Sequence, residues 1–128
     1  MFYSDVPLSC INEAAYEYHV PAKLIIAVLN VEQGKVGMAN RNKNGTYDLG
    51  PMQINTSWWP KLSQYGISQW DVQNNPCINI KVGAWILSKN IADQSNLLIG
   101  IGNYHSLEPI KNSAYTNKIR LIYTFDLN

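Results

Sequence analysis

The segment Pro21 to Gln33 constrains the fold of this 128-residue chain more than any other. It carries Leu24, Ile25, Val28, Leu29 and Val31, so as a helix it is apolar on most faces rather than along one stripe. Such a helix has to be enclosed, which predicts a buried central helix with other helices packed around it. Val20-Pro21 separates it from an earlier helix, about Ser9 to His19, in which Cys10, Ala14, Ala15 and Tyr18 fall at helical spacing. Pro21 suits the first turn of the central helix, and Gly34 stands where a left-handed stop belongs.

Beyond Gly34 the pattern changes. Gly37 to Gly50 is rich in Asn and Gly, and Asn44-Gly45 is a strong turn signal. With Thr46 and Tyr47 following as a short strand, a small β-hairpin is expected there. Asn55, Thr56 and Ser57 offer caps for a helix running to about Tyr65, ended by Gly66, and Ser68 is placed to cap one short turn. A longer helix is expected over about Pro76 to Ala92, another over about Asn96 to His105, and a last one after an Asn112 cap, carrying Tyr115, Ile119, Ile122 and Tyr123. The predicted class is mainly α with a small β-hairpin (α+β). The length suits one domain over residues 1–128, and no repeat, linker or low-complexity segment divides it.

Composition narrows the function. Apolar residues make up 46% and charged residues 15%, which argues for a folded core and against disorder. The formal charge is +1 and scattered, so neither nucleic acid nor an anionic membrane surface is an expected partner. The longest apolar run, Leu24 to Leu29, is too short to span a bilayer. No export signal is readable, and the expectation is that one has been removed ahead of Met1.

The two cysteines, Cys10 and Cys77, fit no metal motif and have no histidine nearby. They read either as reactive thiols or as a disulfide, and the disulfide is the reading adopted. A structural disulfide implies an oxidising compartment, periplasmic or extracellular. No set of His, Cys and carboxylates has ligand spacing, so no metal and no cofactor are expected.

Glu32 is the residue with chemical promise. It ends an apolar helix just before a Gly, where apolar surroundings and the negative end of the helix dipole both favour the protonated carboxyl. A carboxyl still protonated near neutral pH can donate to a leaving oxygen, as glycoside cleavage requires. Position alone nevertheless favours a solvated last-turn glutamate.

The segment from Asn44 to Asn55, NGTYDLGPMQIN, shifts that balance. It resembles the hairpin signature of the lysozyme superfamily. More closely, it is similar to the small lytic transglycosylases that accompany bacterial secretion, conjugation and pilus systems. Three further blocks agree. Glu32 precedes the hairpin at the family's spacing. Asn75-Pro76-Cys77 with the run Val82 to Leu87 resembles the family's disulfide-bearing helix. Gly102-Asn103-Tyr104-His105-Ser106 resembles its late tyrosine motif. The likeness runs from about Cys10 to Tyr123 and implies a lysozyme-like fold.

The resemblance implies that Glu32 is the general acid and then the general base of glycan cleavage. Asp48 sits where animal lysozymes carry a second carboxylate. Many lytic transglycosylases lack one there and use the substrate's own acetamido group, so Asp48 is either a second catalytic group or a turn residue bonded to local backbone. Tyr104 matches the tyrosine that faces the acid. Gln53 and Asn55 match polar positions near bound sugar, although Gln53 can instead tie the hairpin to the helix behind it. Trp58 and Trp59 offer indole faces to pyranose rings, with one of the pair expected in the core. His105 is expected at the rim of the substrate site.

Two departures from larger members stand out: Gln33 where Ser commonly follows the glutamate, and His105-Ser106 where Asn-Ala commonly follows the tyrosine. The implied activity is cleavage of peptidoglycan strands, locally opening the wall for a secretion, conjugation or pilus apparatus. A hydrolase using Asp48 and a non-catalytic glycan-binding or scaffold module are the alternatives.

Overall fold

The expected central helix is α2, Ala22–Glu32, in which Ile25, Ala27, Val28 and Leu29 are buried. A computed structural model describes residues 5–93, 97–106 and 108–121 of the chain. Asn96, Ile122 and Tyr123, placed on helices from the sequence, lie outside the described residues. Packed on α2 are α1 (Leu8–Tyr18), α5 (Pro76–Ala92) and α7 (Pro109–Leu121); α4 (Gln69–Asn74) and α6 (Leu97–Asn103) pack on α5. Buried aliphatic side chains from α1, α2 and α5 meet Met52 and Ile54 from the sheet region in one core.

The β portion is larger than a hairpin. Strands β1 (Ala39–Arg41), β2 (Tyr47–Leu49) and β3 (Ile54–Asn55) form an antiparallel sheet in the order β1-β2-β3. The register sets Asn40 opposite Asp48 and Asp48 opposite Asn55. The predicted Asn-Gly turn closes the first pair: Gly45 takes φ +86°, and the Asn44 side chain accepts from the Thr46 amide at 3.0 Å. β3 was not expected, because two residues are too short to show a period. The second turn makes it, with Gly50 at φ +67° and Gln53 at φ +53°.

The end of α2 differs from expectation in an informative way. Gln33, not Gly34, takes the left-handed position, at φ +55°. Gly34 serves a close approach instead: a Cβ there would stand 2.1 Å from the Gly50 carbonyl oxygen and 2.7 Å from that of Pro51. Only a residue without a side chain lets the end of α2 press against the turn between β2 and β3. That contact sets Glu32 beside the sheet.

After β3, Asn55 accepts from the Ser57 amide at 2.9 Å and opens a 3₁₀ turn, Thr56–Trp58. The expected helix to Tyr65 is broken into that turn, α3 (Trp59–Leu62) and a second 3₁₀ turn ending at Gly66, φ +71°. Ser68 caps α4 by accepting from the Asp71 amide at 3.0 Å. Asn112 is not a cap: α7 begins at Pro109, and Asn112 is buried within it. Its amide donates to Asn103 Oδ1 and to the carbonyls of Ile99 and Ser106, knitting α7 to α6 and the turn beyond. α6 ends at Asn103, which leaves Tyr104 and His105 in that turn.

A disulfide joins Cys10 of α1 to Cys77 at the start of α5, with the Cα atoms 5.1 Å apart. Among the described residues no helix is long and apolar enough to cross a membrane.

Candidate active site

The last turn of α2 brings Glu32 to a cleft of about 640 Å³. Asp48, Gln53 and Asn55 reach it from the sheet, Trp58 from the turn after β3, and Tyr104 and His105 from the turn after α6. Seven residues proposed from the sequence thus meet in one place. Trp59 does not join them: its indole N–H donates to the Ile67 carbonyl at 3.0 Å, directing the ring toward the loop after α3. Trp58 meets the cleft on one side and packs edge-on against Trp85, ring centroids 5.7 Å apart, on the other. Trp70 is largely exposed and lies away from the cleft.

Burial dominates the state of Glu32, pushing its carboxyl up from 4.5 to about 7. The Asp48 carboxylate adds to the rise, while the Tyr115 hydroxyl and the Lys118 ammonium oppose it. Tyr115 was read from the sequence only as a position on the last helix. In the structure its ring stacks with both Tyr104, at 6.4 Å, and His105, at 4.8 Å, two residues that line the cleft. Its hydroxyl is buried without a hydrogen-bond partner of good geometry, yet it is near enough to Glu32 to favour the carboxylate. No spacing in the sequence reveals this contact, because it crosses from α2 to α7.

Asp48 is a strand residue, not a turn residue bonded to backbone. Its Oδ1 accepts from Asn55 Nδ2 at 2.9 Å. The same Asn55 amide donates to Thr46 Oγ1 at 3.0 Å, and its oxygen caps the Ser57 amide. Both donors of Asn55 are therefore engaged inside the protein, one of them on Asp48. Gln53 accepts from Asn40 at 2.9 Å and donates to the Gly50 carbonyl at 2.9 Å. It braces the sheet and not the helix behind it, and one N–H remains for a ligand.

The Tyr104 hydroxyl donates to the Met52 carbonyl at 2.8 Å. Burial, then Glu32 and Asp48, raise its pKa well above the usual phenol value, so it stays neutral and meets a ligand only as an acceptor or through its ring. His105 is exposed overall, but one face is covered by Tyr115. That burial and the lysines Lys118 and Lys111 lower its pKa, which Asp48 partly offsets. Among the described residues no group of His, Cys and carboxylates is gathered to hold a metal ion.

The chain is 31% identical over 91% of its length to a peptidoglycan-binding-like protein of Escherichia coli O157:H7, covering 77% of that protein. It is 28% identical over 92% of its length to protein IpgF of Shigella flexneri, covering 76% of it. It is also 36% identical over 62% of its length to invasion protein IagB of Salmonella typhimurium strain SL1344, and spans half of that protein. Residues 9–118 match the family described as the transglycosylase SLT domain. A mainly helical body with a small antiparallel sheet is the lysozyme-like architecture of that family. With the match running through α1, α2, the sheet and most of α7, the chain belongs to the transglycosylase SLT domain family.

Proposed function

We propose that this protein cuts the β-1,4 bond between N-acetylmuramic acid and N-acetylglucosamine in peptidoglycan by lytic transglycosylation, with Glu32 as its acid. The observation that carries this reading is a half-buried, desolvated carboxyl, raised to about 7, opening into a polar cleft. Glu32 protonates the glycosidic oxygen as the bond to C1 breaks. The oxocarbenium-like centre is stabilised by the sugar's own acetamido group. Glu32, now a carboxylate, takes the proton of the 6-hydroxyl as that oxygen closes on C1, leaving an anhydromuramic end. Trp58 supports a sugar ring, and the spare Gln53 N–H meets a carbonyl or hydroxyl.

Hydrolysis is the second reading, favoured by one observation: Asp48 lines the same cleft and is held there by Asn55. In that case Asp48 stabilises or captures the glycosyl centre and water completes the reaction. Mass spectrometry of the soluble muropeptides released from purified sacculi separates the two readings. Anhydro ends are expected to dominate, and reducing ends in their place would select hydrolysis. Glu32→Gln is expected to lower turnover by about 10²–10⁴-fold. Asp48→Asn is expected to retain much of the activity with the same anhydro products. Full activity in Glu32→Gln would remove the assignment of roles, and failure of the wild-type protein to clear a peptidoglycan suspension would favour a non-catalytic module. The Cys10–Cys77 disulfide suits an oxidising compartment outside the cytoplasm, where the cell wall lies. Similarity to a protein named for invasion supports a place beside a secretion, conjugation or pilus apparatus.

A further inference from the structure

The cleft has a branch. A side pocket of about 180 Å³ shares Glu32, His105 and Lys111 with it, so the two hollows join beside the acid. The side pocket has an apolar part, Val31 and Ala114, and a cationic part, Lys111 and Lys118. Both lysines are on α7, two turns apart and on the same face. Lys111 pairs with Glu108 at 3.5 Å, but both side chains are more than half exposed, so the pair is weak and easily exchanged for another carboxylate.

A peptidoglycan strand is branched in a matching way. Its sugars are uncharged along the chain, and each muramyl residue carries a lactyl ether that continues into a short peptide bearing carboxylates. We propose that the side pocket receives this lactyl-peptide branch, its methyl groups packing on Val31 and Ala114 and its carboxylates meeting Lys111 and Lys118. The proposal rests on the peptidoglycan reading above and deepens it: the protein prefers strands that still carry peptides.

The test compares sacculus strands bearing peptides with strands stripped of them by an amidase. Lys111→Gln and Lys118→Gln are each expected to raise KM roughly two- to fivefold on peptide-bearing strands, the range for an exposed ion pair. On stripped strands the rise in KM is expected to be clearly smaller than on peptide-bearing strands. Because Lys118 also bears on the ionisation of Glu32, KM is compared between substrates at one pH. Equal effects on the two substrates, or none on either, would overturn the proposal. If the wild-type protein turns over neither substrate, the functional reading fails, and the pocket is then judged by binding alone. A muramyl dipeptide titrated against the labelled protein is expected to shift the Ala114 and Lys118 amides. That response should weaken with salt and vanish in the double variant. No response at those amides would overturn the assignment of the pocket.

Discussion

A carboxyl that must hold a proton near neutrality has to be kept from water and from cations that would ionise it. Glu32 meets the first condition through burial, while the Lys118 ammonium and the Tyr115 hydroxyl favour its ionised form. The balance has a measurable consequence for stability. The carboxyl's folded-state pKa lies above its unfolded value, so between about 4.5 and about 7 the folded protein keeps a proton that the unfolded chain has released. Stability from this group is fully present below that window and is lost as pH rises through it. The difference is on the order of 3 kcal/mol. Denaturant unfolding near about pH 4.5 and about pH 8 should show the wild type losing that much more stability than Glu32→Gln between the two. Identical pH dependence in both proteins would contradict the burial argument. Tyr115→Phe removes a group that favours the carboxylate, so Glu32 should rise further. The basic limb of the kcat/KM profile is then expected to move to higher pH. Little stability should be lost, because the hydroxyl has no well-formed partner to lose. A limb that moves to lower pH would show that Tyr115 acts otherwise.

Between elements, the decisive contacts are made by side chains with no obvious role in the sequence. Asn79 on α5 is fully buried. Its Nδ2 donates to the Leu49 and Val72 carbonyls, both at 2.9 Å, and its Oδ1 accepts from the Met52 amide at 2.9 Å. One amide therefore ties β2, the turn after it and α4 to the helix behind them. Asn79→Leu would strand two carbonyls and one N–H in the core, each at a cost of about 1–3 kcal/mol. A loss of at least roughly 3 kcal/mol is expected by urea unfolding, and a loss below about 1 kcal/mol would mean that water or a local shift satisfies the three groups. Because the same turn carries Met52, whose carbonyl receives the Tyr104 proton, the variant should also disturb the cleft. α2, α5 and the Asn-Gly turn were readable from periodicity, caps and turn chemistry, all of which act within a few residues. β3, the left-handed Gln33 and the buried Asn112 were not: two residues are too short to show a period, and the other two positions are set by how neighbouring elements pack.

At the scale of the whole molecule, the disulfide fastens α1 to α5, two helices that also pack on each other. Closing a loop of 67 residues restricts the unfolded chain and stabilises the folded one by about 4 kcal/mol on the chain-entropy account. Urea unfolding with and without a thiol reductant should show a stability loss of that order. Thiol titration of the untreated, unfolded protein should find no free thiol, and two titratable thiols would contradict the bridge.

What the sequence determined by itself was local: a helix too apolar to be anywhere but the centre, a glutamate at its end, a turn of Asn and Gly, and a late tyrosine. Those features, with their order along the chain, were enough to suggest the family. Tertiary structure alone decided what surrounds the glutamate. Hydrogen bonding joined Asn55 to Asp48, turned Trp59 away and engaged the Tyr104 proton. Packing of α7 against α2 set Tyr115 beneath the acid and opened the lysine-lined branch beside it. The physical reason is one of range. Propensity and periodicity act over a turn or two of chain, whereas desolvation and charge act through space between residues that only the completed fold makes neighbours.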